Sequence, residues 1–164
     1  MAPYPWRTSW QSDLLMTGER RPQSYYRELM WEHSQNTYLF TTHPKHYGEK
    51  SFGTPWRWDD VDLSWSFGDE WIGRPVAVEA YSPGDCVEFF LNGRSFGTSA
   101  VSRLKASLDI PYTPGILEAV TYKEGRVLSR AVLETAGEAS KLLIVPEEDF
   151  LTADGMDLAY IHIY

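Results

Sequence analysis

Between Pro75 and Glu134 apolar residues recur at every second position in short runs, and each run is cut by a turn. Side chains of an extended chain alternate between two faces, so this pattern specifies half-buried antiparallel strands and excludes a helical bundle for the stretch. Val76, Val78 and Ala80 form the first run and Val87, Phe89 and Leu91 the second, separated by Ser82-Pro83-Gly84-Asp85. The second ends at Asn92-Gly93, two residues that tolerate positive φ and favour a type I′ hairpin returning as Arg94-Ser95-Phe96. Leu104, Ala106, Leu108 and Ile110 alternate with Lys105, Ser107 and Asp109 up to Pro111 and the Pro114-Gly115 turn. Strands over Ile116 to Tyr122 and Val127 to Glu134 follow, joined by Lys123-Glu124-Gly125-Arg126. Six or seven such strands predict a mainly β fold, a small immunoglobulin-like antiparallel sandwich over residues 74–136.

The rest of the chain differs in composition. All seven tryptophans fall in the first 71 of 164 residues, and residues 1–58 carry 7 Lys+Arg against 5 Asp+Glu while 59–164 carry 8 against 18. Pro22 suits a first helical position, and Tyr26, Leu29, Met30 and His33 follow the i, i+3, i+4, i+7 stripe, which predicts one helix over about Pro22 to His33. Residues 41–73 are rich in Gly, Pro, aromatics and acids without sustained periodicity, the composition of a connector packed by aromatics. After Thr135-Ala136-Gly137-Glu138, strand-like runs Lys141 to Val145 and Leu158 to Tyr164 stand apart from the sandwich. Two strands seldom persist alone in water, so residues 137–164 are expected to open a second sandwich domain. The stripe Ala159, Ile161 and Ile163 is then an open edge, expected either to be disordered beyond Ala139 or to pair with a second copy as a homo-oligomer.

The net charge of −8 and a longest basic cluster of Arg20-Arg21 exclude phosphate-dominated partners such as nucleic acid, and anionic membranes. No apolar run approaches the roughly 20 residues of a membrane span. The opening residues Met1 to Trp6 lack the basic and apolar parts of a signal peptide, so the cytoplasm is the favoured compartment. A single cysteine, Cys86, excludes an internal disulfide or a paired-thiolate metal site, and its neighbours Asp85 and Glu88 do nothing to activate it.

Glycoside hydrolysis needs two carboxyl groups about 5 to 9.5 Å apart. Asp59, Asp60 and Asp62 are the densest group, with a solvated acidic turn as the competing explanation. His43 and His46 have metal-like spacing only on a helical turn, which Pro44 disfavours, so they are expected as surface histidines. Ser9, Ser24 and Ser51 lack the nucleophile-elbow context. No catalytic residue, metal site or cofactor is therefore expected. Most tryptophans should be packing; Trp56, Trp58 and Trp65 are the candidates for stacking on a sugar ring.

The run Leu14 to Arg27, LLMTGERRPQSYYR, resembles the end of the catalytic barrel in glycoside hydrolase family 2, the β-galactosidase family. Thr54 to Phe67 is similar to the segment that follows that barrel, and Val87-Glu88-Phe89-Phe90-Leu91-Asn92-Gly93-Arg94-Ser95-Phe96-Gly97 to the hairpin of the family's immunoglobulin-like domain. Pro111 to Val120, Leu133 to Gly137 and Ala153 to Ile161 continue the likeness into the opening of a further domain. The resemblance implies a C-terminal region: residues 1–40 closing the barrel, a connector over 41–73, one sandwich and a truncated second. It implies the barrel of a longer chain as partner, with carbohydrate as the substance handled. The family's acid/base glutamate follows an asparagine, whereas Asn36 precedes Thr37 and Asn92 precedes Gly93. Its nucleophile lies upstream of the last barrel helix, so both catalytic glutamates are expected outside this chain. An autonomous carbohydrate-binding module and a scaffolding sandwich are the alternative readings.

Overall fold

The computed structural model describes residues 12–15, 18–48, 58–138 and 140–163. Seven strands, β1 (Tyr38–Thr41), β2 (Pro75–Tyr81), β3 (Cys86–Leu91), β4 (Arg94–Ala100), β5 (Lys105–Pro111), β6 (Ile116–Lys123) and β7 (Arg126–Glu134), form a sandwich. One sheet has the order β1-β2-β5 and the other β4-β3-β6-β7, and every pairing is antiparallel. The immunoglobulin-like sandwich expected from the alternation is present.

Alternation decides what the two sheets bury against each other. Val76, Val78, Ala80, Ala106 and Ile110 from one sheet meet Val87, Phe89, Leu91, Leu117 and Ala119 from the other, all buried. Asn92 and Gly93 sit at φ 51° and 77°, the signature of the expected type I′ hairpin, and Glu124 and Gly125 repeat it at 51° and 74°. A third such turn has no glycine: Arg103 and Leu104 lie at φ 50° and 63°, with Ser102 bridged to Lys105 on either side. Leu104 is therefore a turn residue, and β5 begins one position after the expected start.

Helix α1 (Pro22–Met30) starts at the expected proline and stops short of His33, because Trp31 ends the helical geometry and Glu32 turns to φ 58°. It packs on the outer face of the three-stranded sheet, where Leu29, Phe40 and Tyr81 are buried among Tyr25, Tyr26, Tyr38, Trp58, Val61 and Leu104. Among the described residues, 22–134 thus stack in three layers: helix, three-stranded sheet, four-stranded sheet.

Two parts of the chain placed ahead of the sandwich by sequence contribute to it directly. β1 runs beside β2 in register Tyr38↔Tyr81 to Thr41↔Val78. Thr37, just before it, joins the sheets through a buried hydroxyl cluster, 2.6 Å from Thr121 Oγ1 and 2.5 Å from Ser129 Oγ. The aromatic stretch then closes one end: Trp65 is buried with Nε1 donating to the Thr113 carbonyl at 3.1 Å, and Thr135 Oγ1 donates to the Trp65 carbonyl at 2.7 Å. Four residues are too few for sequence periodicity to reveal β1, and a ring of tryptophan's size buries well without any periodic context.

In the tail, β8 (Ile144–Pro146) pairs with β9 (Ile161–Ile163) inside the same chain, Ile144↔Ile163 and Pro146↔Ile161. Both strands remain exposed along their length. The apolar stripe expected to be disordered or to pair with another copy thus has one edge taken by its own chain.

Candidate functional site

The junction between α1 and the sandwich is where chemistry-bearing side chains converge, and Lys105 is at its centre. Register places Lys105 opposite Tyr81, on the face that α1 covers. Its Nζ lies 4.8 Å from the ring centroid of Trp58, 4.9 Å from Tyr81 and 5.6 Å from Tyr26. Aromatic faces carry partial negative charge, so three of them solvate an ammonium that the helix would otherwise strip of water. The rings hold one another in place: Tyr26 and Tyr81 meet edge to face at 5.8 Å, and Trp58 Nε1 donates to Tyr81 Oη at 3.2 Å. The Tyr26 hydroxyl donates to the Arg103 carbonyl at 3.0 Å, which pins the helix to the positive-φ turn leading into Lys105.

Two carboxylates complete the box. Asp59 pairs directly with Lys105 Nζ, and Glu79 Oε2 lies 3.8 Å from it. Burial pushes the Glu79 carboxyl above its ordinary range; Lys105 works against the shift and Asp59 with it. The Tyr81 phenol is pushed far up, chiefly by burial. Burial thus disfavours the ionised form of both groups, and Lys105 offsets that cost at Glu79.

Of the three sugar-contact candidates, Trp56 lies outside the described residues. Trp65 is completely buried in the sandwich end, so its ring has no face for a ligand. Trp58 is half-buried against Tyr26, Tyr81 and Lys105, and it also lines a cavity of about 340 Å³ with Arg20, Arg21, Gln23, Asp60 and Asp62.

The acidic trio makes three different attachments. Asp59 is taken by Lys105, Asp60 Oδ2 is 2.7 Å from His46 Nδ1, and Asp62 bridges Thr41 through two backbone hydrogen bonds of 2.9 Å. Each acid ties the 58–62 stretch to a different partner. His43 caps the 3₁₀ turn Pro44–His46, and no group of three or more metal-ligating side chains exists among the described residues. Ser24 Oγ accepts from Arg20 Nε at 2.9 Å; Ser9 and Ser51 lie outside the described residues. Cys86 is a half-buried free thiol between Ala100 and Tyr122 in register.

Lys105, Glu79 and Tyr26 were not singled out from sequence. Lys105 belongs to the polar half of the β5 alternation, and period two says only that it opposes Ala106, not that a helix covers that face. The available signal was the opposite charge of Glu79 on the equivalent face of β2.

Comparison with known proteins gives a consistent result. Residues 73–129 match a family described as a domain of unknown function, DUF4982. A β-galactosidase of Bacteroides ovatus, BoGH2A, is 24% identical over 168 residues, covering 98% of this chain and 17% of that protein. A putative β-glucuronidase of Formosa agariphila is 38% identical over 74 residues, 43% of this chain and 7% of the relative. Among solved structures, a glycosyl hydrolase family 2 member from Bacteroides cellulosilyticus superposes with a TM-score of 0.81 at 35% identity, over 93% of this chain and 20% of that one. The chain therefore spans about a fifth of the length of such relatives and belongs, as a segment, to glycoside hydrolase family 2.

Proposed function

We propose that this chain is the non-catalytic C-terminal β-sandwich region of a β-galactosidase-like glycoside hydrolase, and that it braces the catalytic barrel of the longer polypeptide. The observation that carries this reading is the Lys105 box. The helix whose sequence resembles the barrel's closing helix is not a loose flank of the sandwich; its Tyr26 shares one cation with Trp58 and Tyr81. A barrel ending in this helix would be fastened to the sandwich through the same contacts. The Asp59 and Asp60 carboxylates are paired with Lys105 and His46, and the Asp62 carboxylate accepts from the Leu63 N–H, which supports a structural part. In the parent, hydrolysis of terminal β-galactosides would rest on glutamates supplied by the barrel. The test is turnover of aryl β-galactosides and aryl β-glucuronides by the purified 164-residue chain. None is expected; activity that survives purification and disappears with Asp59→Asn, Asp60→Asn or Asp62→Asn would overturn the reading.

A carbohydrate contact within this chain is a second reading, favoured by the cavity beside Trp58. Galactose and galacto-oligosaccharides should shift the Trp58 indole N–H resonance in that case, and Trp58→Phe should weaken the binding. An indole resonance that does not move at high saccharide concentration removes this reading and leaves the brace intact.

A further inference from the structure

The loop after β1 carries two histidines in opposite electrostatic settings. His46 Nδ1 lies 2.7 Å from Asp60 Oδ2, so a proton on that ring meets a carboxylate. His43 Nδ1 is instead an acceptor, taking a hydrogen bond from the Lys45 backbone N–H at 3.1 Å and capping the turn Pro44–His46. A ring nitrogen that accepts from an amide carries no proton, so this cap exists only while Nδ1 is bare.

The surroundings reinforce that state. His43 stands edge-on to Phe67, with ring centroids 5.0 Å apart at 82°, and to Trp71 at 6.2 Å, while the His46 ring is 5.6 Å away. The charged and titratable groups around it are Lys45 and His46 in its own turn, Asp60 in the 58–62 stretch and Glu70 in the 3₁₀ turn Asp69–Trp71. Burial against the rings is the largest influence; with Lys45 and His46 it outweighs the two acids and lowers the ring's proton affinity.

The capped turn delivers Tyr47 to the sheet. Its hydroxyl accepts from the Ala77 N–H at 2.6 Å, and the Ala77 carbonyl accepts from Thr42 N–H at 3.0 Å. Residues 42–47 thus clasp the edge of β2 just beyond the last β1 pair, Thr41↔Val78.

We propose that residues 42–47 are an acid-released strap on the β2 edge, with His43 as its fastener. Protonation of Nδ1 removes the acceptor for Lys45 N–H and sets a positive charge beside Lys45, and the turn that presents Tyr47 to Ala77 opens. The direction follows from linkage. The released ring titrates near its ordinary value of 6.5 and the fastened ring below it. Above that pH both forms are neutral and nothing favours release. As pH falls, the released form takes the proton first, so its share grows by about tenfold per pH unit until the fastened ring titrates too.

The experiment is amide hydrogen exchange of the whole chain at pH 7.5 and 5.0, corrected for intrinsic rates and followed at Lys45, Ala77 and, as internal reference, Val120. The expected result is a fall in protection at Lys45 and Ala77 of up to about tenfold per pH unit below 6.5, with Val120 unchanged. His43→Asn, whose side-chain oxygen can accept from Lys45 N–H without titrating in this range, should hold protection constant. Equal protection of Ala77 at both pH values in the unsubstituted chain would overturn the proposal. So would the same acid loss in His43→Asn, which would place the sensitivity at His46 and Asp60.

Discussion

The two faces of the three-stranded sheet are covered by different means, the inner one throughout and the outer one in part, since Ser107 and Asp109 stay exposed. The inner face, with Val76, Val78, Ala80, Ala106 and Ile110, is covered by a second sheet and is aliphatic except at Thr41, whose hydroxyl donates to the Ser64 carbonyl. The outer face, with Phe40, Glu79, Tyr81 and Lys105, is covered by α1 and the 58–61 stretch. Burying aliphatic area is favourable at every contact, on the order of 25 cal/mol per Å² removed from water. Burying Lys105 and Glu79 is costly unless each finds a partner. The inner face therefore only needs apolar residues at alternate positions, whereas the outer face needs a specific set: three rings and two carboxylates around one ammonium.

That difference can be broken first on the inner side. Trp65→Ala removes the largest fully buried side chain at the sandwich end, together with its hydrogen bond to Thr113. Truncation of a buried tryptophan costs about 3 to 5 kcal/mol, so the urea midpoint of the whole chain should fall sharply. A loss below about 1 kcal/mol would mean that the 64–67 stretch is a detachable cover and not part of the inner core. The expected penalty comes from lost volume and one uncharged hydrogen bond, and no choice of pH should restore it.

The contrast also explains what was legible in the sequence. Val76, Val78, Ala80 and Val87, Phe89, Leu91 announced the inner face, because period two and a buried sheet face are the same geometric fact. Asn92-Gly93 fixed the hairpin register through backbone sterics alone. The outer face was illegible for a physical reason. Alternation tells which residues share a face, not which element will cover it, so nothing marked Lys105 and Glu79 as covered positions. Arg103 and Leu104 made the same point at the backbone: the sheet register holds two non-glycine residues at positive φ, against their own preference. Trp58 and Trp65 stood out as large aromatics, yet whether a ring packs or binds depends on what lies over it, and only the fold supplies that. The tail hairpin had the right alternation at Ile161 and Ile163 but, among the described residues, no covering layer.

The outer face gives a smaller and more selective effect, and it carries the central claim that α1 and the sandwich form one unit through Lys105. Lys105→Met keeps a similar length and apolar stem while removing the charge that the three rings and two carboxylates share. Cation–ring contacts of this kind are worth about 0.5 to 2 kcal/mol, and Glu79 also loses the neighbour that opposes its raised pKa. A carboxyl with a raised folded-state pKa favours the fold when protonated and loses that advantage as pH rises, so the penalty should be largest at neutral pH and shrink toward pH 4. The measurement is native-state hydrogen exchange at pH 7, comparing Glu28, Leu29 and Trp31 with Val120 and Thr121, in the unsubstituted chain and in Lys105→Met. Protection in α1 comparable to that in β6, lost selectively from α1 on substitution, is the predicted result. Helix amides that exchange freely in both proteins, or keep full protection without Lys105, would contradict the claim that this residue fastens the helix to the sandwich.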